Sequence, residues 1–419
     1  MSARQNHEDE LDLPAPTAND YISPAPRVSV QAFCSTAETA AAAQAAGEDR
    51  RLAKVHLTVK MGGIVAAIDT YHTQPTPNVI VLETEANNDI LAGLDELATV
   101  CDPGTRVVVI GGAHDVAPYR ELVRRGVNDY VIGPVAPIDF VRSICSLFSA
   151  SEAIAVGRII AVVGAKGGVG ASTVAHNLAW AIARDLALDS VVIDLDLAFG
   201  TASLDYNKDP VQGIANAVFS PDRPDTAFIE RLMAKCTDRL SLLAAPATLE
   251  RVYDLGEQAF DAIFDTLRMT TPCIVLDVTH QWSGWARRAL VSADDILIVA
   301  EPDLANLRNA KNMLSMLKAA RPNDHAPLYC LNQVGMPKRP EIDAKGFAKT
   351  IESKPIASIP FDPKLFGTAA NNGQMIAEIS ARHRTTALFL QMAHQMTGRG
   401  EVKKPRGSFL SPILRKLRA

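Results

Sequence analysis

Residues 164–173 read Gly-Ala-Lys-Gly-Gly-Val-Gly-Ala-Ser-Thr, between an apolar run at 159–163 and an Ala-rich stretch from Ser172 to 183. That succession constrains the fold strongly. A buried strand must end in a turn only glycines can make, and a helix must start there. Glycines let successive backbone N–H groups close around phosphate oxygens, and the helix N-terminus adds partial positive charge. The standard phosphate loop is G-x-x-x-x-G-K-[ST]. Here Ala171 stands where the lysine belongs, and a lysine comes early, at Lys166. Ser172 offers a hydroxyl for Mg²⁺, and Thr173 reaches a further phosphate oxygen.

The loop lies within a long β-α series. Apolar runs follow at 191–193, 240–243, 274–276, 296–299 and 328–331. A shorter series precedes it, with strand-like runs at 28–33, 79–82, 107–110 and 130–132. Helical stretches at 37–46, 116–125 and 138–148 alternate with these. Repeated β-α units predict an α/β chain of two doubly wound parallel-sheet domains. The 419 residues exceed one ordinary core. The expected division is a disordered acidic tail at 1–26, a first domain at 27–150, a linker at 151–157, the phosphate-loop domain at 158–396, and a basic tail at 397–419.

Composition narrows the function. A net charge of −5 gives a nucleic-acid partner no support. The six cysteines are scattered without a C-x-x-C pair, against both a disulfide framework and a zinc site. The N-terminus carries Glu8, Asp9, Glu10 and Asp12 where a signal peptide needs basic and apolar residues. No apolar run approaches the ~20 residues of a membrane-spanning helix. A cytoplasmic protein is expected, any membrane contact being peripheral. The candidate for such contact is the tail, where Phe409, Leu410, Ile413, Leu414 and Leu417 recur at helical spacing among Lys403, Lys404, Arg406, Arg415, Lys416 and Arg418. A basic amphipathic helix suits an anionic membrane surface.

The run Lys166-Gly167-Gly168-Val169-Gly170 resembles the deviant Walker A motif, K-G-G-x-G-K-[ST], of the ParA/MinD family. In that family the early lysine crosses a dimer interface to the other subunit's nucleotide, and Lys166 matches it. Ala171 falls where the family has its second, cis-acting lysine, so one positive charge is missing. The resemblance implies that residues 166–173, through Ala171, Ser172 and Thr173, contact the phosphates. Val-Val-Ile-Asp-Leu-Asp at 191–196 resembles the D-x-D switch, in which Asp196 would orient the attacking water. Strand alternation puts Asp194 and Asp196 on one face if the strand continues that far. Cys-Ile-Val-Leu-Asp-Val-Thr at 273–279 resembles Walker B, delivering Asp277 to Mg²⁺ through water; Thr279 replaces a common proline. Residues 299–310 resemble the segment near the dimer face. Asn332, ending the strand at 328–331, matches an asparagine that reads the adenine edge. Ile-Pro-Phe-Asp at 359–362 resembles a loop over the base, which brings in Pro360. The resemblance implies ATP and Mg²⁺ as ligands, a homodimer on ATP binding and a weak ATPase.

The first domain resembles a two-component receiver, clearest in Gly-Val-Asn-Asp-Tyr-Val-Ile-Gly-Pro at 126–134. Glu83 holds the phosphoacceptor position, Gly133 replaces the lysine, and no acidic pair follows the first strand. This is a degenerate receiver, suited to docking, targeting or dimerisation. A degenerate receiver fused to a MinD-like ATPase is similar in architecture to the CpaE/TadZ family. That likeness implies a localisation factor for Flp/Tad pilus assembly, recruiting secretion machinery at a pole or at the inner membrane. The alternatives are a ParA-like partitioning ATPase and a nucleotide-binding scaffold that does not hydrolyse.

Overall fold

A computed structural model describes residues 22–84, 90–112, 121–149, 156–222, 224–249 and 251–398. Most of the expected acidic tail, the linker at 151–155, the start of the helix expected at 116–125 and the basic tail from 399 lie outside these residues.

Two sheets form. The first has the order β2-β1-β3-β4-β5, every pair parallel: β1 Ser29–Cys34, β2 His56–Met61, β3 Val79–Glu83, β4 Arg106–Gly111 and β5 Asp129–Ile132. The second has the order β13-β12-β11-β6-β10-β7-β9-β8. Its strands are β6 Arg158–Gly164, β7 Ser190–Asp194, β8 Ala234–Lys235, β9 Leu240–Leu243, β10 Cys273–Val278, β11 Asp295–Ala300, β12 Leu328–Val334 and β13 Ser358–Pro360. Only the edge pair β8–β9 is antiparallel. The α/β class with two parallel sheets is therefore the one observed.

Alternation along β6 shows why its run is apolar throughout. Ile159, Ala161 and Val163 enter the core on one face, Ile160 and Val162 the core on the other. Helices cover both faces. By contrast β2, His-Leu-Thr-Val-Lys-Met, is an edge strand with no fully buried residue, and it carries no continuous apolar signal. β2, the two-residue β8 and the three-residue β13 were absent from the expected strands.

Three boundaries differ from expectation. Residues 22–26 do not belong to a disordered tail: Ala25 is buried, and its N–H donates to the Arg51 carbonyl at 2.9 Å. The helix expected at 138–148 runs Pro137–Ser149. Gly157, assigned to the linker, already packs on the second half, donating to the Arg268 carbonyl at 2.7 Å.

Candidate nucleotide site

β6 runs into the glycine loop, and a helix follows at Ala171–Asp185. Gly168 (φ 83°) and Gly170 (φ 80°) take left-handed backbone, which explains glycine at both. Gly170 caps the helix with no side-chain hydrogen bond, so no side chain competes for the first helical N–H groups. Three amide side chains hold the loop's carbonyls from behind. Asn309 donates to Ala165 O (2.9 Å), Gln333 to Gly168 O (3.2 Å) and Asn332 to Val169 O (2.8 Å). With the carbonyls held there, the N–H groups are left for an anion.

Lys166 is exposed on the shoulder of the loop. Its neighbour Asp303 is held below the usual carboxylate range: burial pushes it up, but bonds from Asn306 and the Lys166 charge outweigh that. Ser172 and Thr173 are half-buried at the helix start. The His280 ring packs over Gly167, where an added Cβ would lie 3.1 Å from it.

The acidic residues separate into two environments. Asp194 and Asp277 are register partners on adjacent strands, 1% and 3% exposed. Burial and the Asp277 carboxylate push Asp194 up to about 7. Asp196 does not share a strand face with Asp194, because β7 stops at Asp194. The chain turns instead: Asp194 accepts from the Asp196 and Ala202 amides, both at 3.1 Å, and half-buried Asp196 accepts from Phe199 N at 3.0 Å. The D-x-D spacing thus yields one buried carboxylate and one half-buried on a turn.

His176 is a residue of this site that the sequence motifs do not include. It lies one helical turn after Ser172, fully buried, with Nδ1 2.7 Å from Asp205 and Nε2 3.3 Å from Asp277. Burial disfavours its imidazolium, but the two carboxylates outweigh burial and hold it up to about 10. A polar residue four positions after the loop serine, on the helix face that packs the sheet, was the available clue.

A cavity of about 150 Å³ beside the loop is lined by Thr173, Asn332, Pro360, Phe361 and Phe366. Asn332 lies inside β12, not at its end, and one of its amide hydrogens is engaged by the loop. Pro360 lies in β13, not in a free loop. The cavity brings Asn332 and Pro360 together. A larger cleft, about 520 Å³, lies elsewhere around Phe219, Arg251 and Tyr253 and includes no residue of the glycine loop.

The oxygen donors near the loop, Ser172 and the carboxylates Asp277 and Asp194, suit a hard cation such as Mg²⁺, which needs few protein ligands beside phosphate and water. Asp194 and Asp277, buried side by side on adjacent strands, place two carboxylates where a cation would offset their repulsion. Among the described residues no cluster of three or more His, Cys, Asp or Glu could hold a metal by itself.

The receiver-like half has its own strand-end site. Glu83 accepts from Ser35 N (2.7 Å), Thr36 N (2.8 Å), Thr36 Oγ1 (2.8 Å) and Thr39 Oγ1 (2.7 Å). Burial pushes its carboxyl up, and these bonds more than reverse that. The acceptor position is thus filled by an anion that the N-terminus of the helix Ala37–Gly47 already binds. Gly133 sits before Pro134 after β5 and brings no charge. Glu83→Ala is expected to cost about 1–3 kcal/mol by leaving these donors unpaired, read from urea midpoints. Because the folded pKa is depressed, this stabilisation is present above the ordinary glutamate value of about 4.3 and lost as pH falls below it. The variant's stability should accordingly depend less on pH between 5 and 3.

A parallel sheet with a glycine loop at the carboxyl end of a central strand, and a buried acidic strand end beside it, defines a P-loop ATPase-type domain. Residues 157–328 match the family model described as an AAA domain. The septum site-determining protein MinD of Synechocystis is 28% identical over 163 residues, 39% of this chain and 60% of that protein. The alignment thus spans less than two thirds of that relative. The cell division ATPase MinD of Pyrococcus furiosus shares the fold, with 23% identity over 57% of this chain and 98% of that one (TM-score 0.51). A pilus assembly protein CpaE from Caulobacter crescentus is 44% identical over 30% of this chain, in its N-terminal part, and 98% of that one (TM-score 0.29). Over residues 157–328 the chain is similar to ATPases of the ParA/MinD family.

Proposed function

We propose that this protein is a nucleotide-controlled dimerising switch that binds ATP with Mg²⁺. One observation carries the reading: the loop's lone lysine, Lys166, is exposed at its outer shoulder, while position 171 inside it holds alanine. A lysine so placed can reach a nucleotide bound by a second copy. Phe199, Trp282 and Leu304 are exposed at 73%, 50% and 74% on segments that neighbour the loop in sequence or fold, an apolar content suited to a partner face.

In this reading residues 166–173 cradle the phosphates, Asn332 and Pro360 bound the base pocket, and Ser172 with Asp277 holds Mg²⁺, Asp277 through water. Mg²⁺ would supply charge neutralisation between the phosphates. Asp196, on its turn, would orient a water for slow hydrolysis. Static light scattering with chromatography tests the switch. A dimer with ATP and a monomer with ADP or no nucleotide are expected; a state indifferent to nucleotide would sink it.

The biological role proposed is a localisation factor for Flp/Tad pilus assembly that recruits secretion proteins. It rests on the pairing of a receiver half that cannot accept phosphate with a switch ATPase. Surface pili that persist after deletion of the gene would count against it. Ala171 favours one second reading, a scaffold that binds nucleotide without turnover; phosphate release decides. No helix among the described residues is long and apolar enough to cross a membrane. The basic tail lies outside those residues, and its proposed role is peripheral contact. Removing 405–419 is expected to abolish co-sedimentation with anionic liposomes, and unchanged binding would remove the tail from the account.

A further inference from the structure

We infer that one buried charge cluster clamps the receiver-like half to the ATPase half, so that the two move and unfold as one body with their site edges pointing in opposite directions. Arg50 and Arg51 lie on the short 3₁₀ turn Arg50–Leu52, just before β2, at the N-terminal edge of the first sheet. Their partners lie at the N-terminal edge of the second. Asp294 precedes β11 and Asp324 precedes β12, while Arg268 ends a helix before β10. The glycine loop, Asp194 and Asp277 are at the opposite, carboxyl ends of those strands, and Glu83 is at the carboxyl end of β3.

The bonds interlock. Arg50 meets Asp294 at 2.8 Å and Asp324 at 2.7 Å. Arg51 pairs with Asp49 at 2.9 Å and also bonds Asp324. Asn323 donates to Asp49 at 3.0 Å, and Arg321 bonds Asp324 at 2.8 Å. The second oxygen of Asp294 accepts from Arg268 (2.7 Å) and from the backbone N–H of Ile159 (2.8 Å), in the strand that leads to the glycine loop. The receiver's arginine therefore shares a carboxylate with the start of that strand.

Burial makes this a clamp. The side chains of Arg50, Asp294 and Asp324 are 12%, 2% and 6% exposed. Charges removed from water are tolerable only while paired, and removing one partner strands the rest. Both aspartates are held below the ordinary carboxylate range: burial pushes them up, and the surrounding arginines more than reverse it. A tethered, mobile domain would instead show solvated pairs that swap partners with water. The rim pair Lys54–Asp265, at 2.5 Å and 45% and 24% exposed, is of that weaker kind.

The test uses the full chain without nucleotide, so it stands apart from the dimer switch. The wild type is expected to unfold in one thermal transition that persists in 1 M NaCl, since a buried cluster is little screened. Arg50→Met with Arg51→Met is expected to give two transitions and a larger radius of gyration in solution scattering. A variant with the wild-type transition and scattering would overturn the clamp. If the variant does not fold, hydrogen exchange on the wild type decides. The Leu52 and Ile159 amides are expected to exchange as slowly as the cores of β1 and β6; exchange of either 100-fold faster would overturn the clamp.

Discussion

Lys166→Ala is expected to leave a folded protein that binds nucleotide but no longer dimerises with ATP. The side chain is exposed and supports no core, so the fold should not change. In the proposed dimer each copy's Lys166 makes a charge-assisted bond to the other's phosphates. Such bonds are worth about 1.5–3 kcal/mol each. Two are lost per dimer, so the dissociation constant should rise by about 10²- to 10⁴-fold. Sedimentation equilibrium at several ATP concentrations measures this directly. A variant that dimerises like wild type would show that Lys166 acts within its own subunit or not at all.

The second large effect runs the other way. Ala171→Lys should tighten ATP binding by about 10- to 100-fold, the equivalent of one charge-assisted bond, and raise the rate of phosphate release. Ala171 is the first residue of the helix behind Gly170 and is half-buried. The native site keeps its backbone cradle but lacks this charge. Titration with a fluorescent ATP analogue and a phosphate-release assay give both readouts. Tighter binding with unchanged turnover would place the block at Asp196 or at Mg²⁺ coordination. No change in either would mean that the loop does not take up phosphate in the expected pose.

Much of the second sheet was legible because parallel strands buried on both faces must be apolar at every position. β6, β10 and β11 announce themselves in this way. β2 could not, since an edge strand half in water mixes His56, Thr58 and Lys60 with its apolar residues. The glycine loop was legible because left-handed backbone admits few residues other than glycine. Asp196 was legible as a residue but not in its placement, which depends on where β7 ends. His176 was hidden because a lone histidine on a helix gives no sign of the two carboxylates it will meet. The clamp was the least visible element. Glu48-Asp49-Arg50-Arg51 reads as a charged surface turn, and the aspartates that bury it follow more than 240 residues later.

The outward orientation of the two strand edges bears on how nucleotide would be felt by anything bound to the receiver. Were two copies to join through their glycine-loop edges, their receivers would lie at opposite ends, at a separation the clamps hold constant. Nucleotide would then leave each receiver unaltered and change how many are displayed together. A bound partner presenting two matching sites would respond through avidity, which raises apparent affinity by about 10²- to 10⁴-fold without any new contact. ATP would in that case be read as valency, the difference between one handle and two.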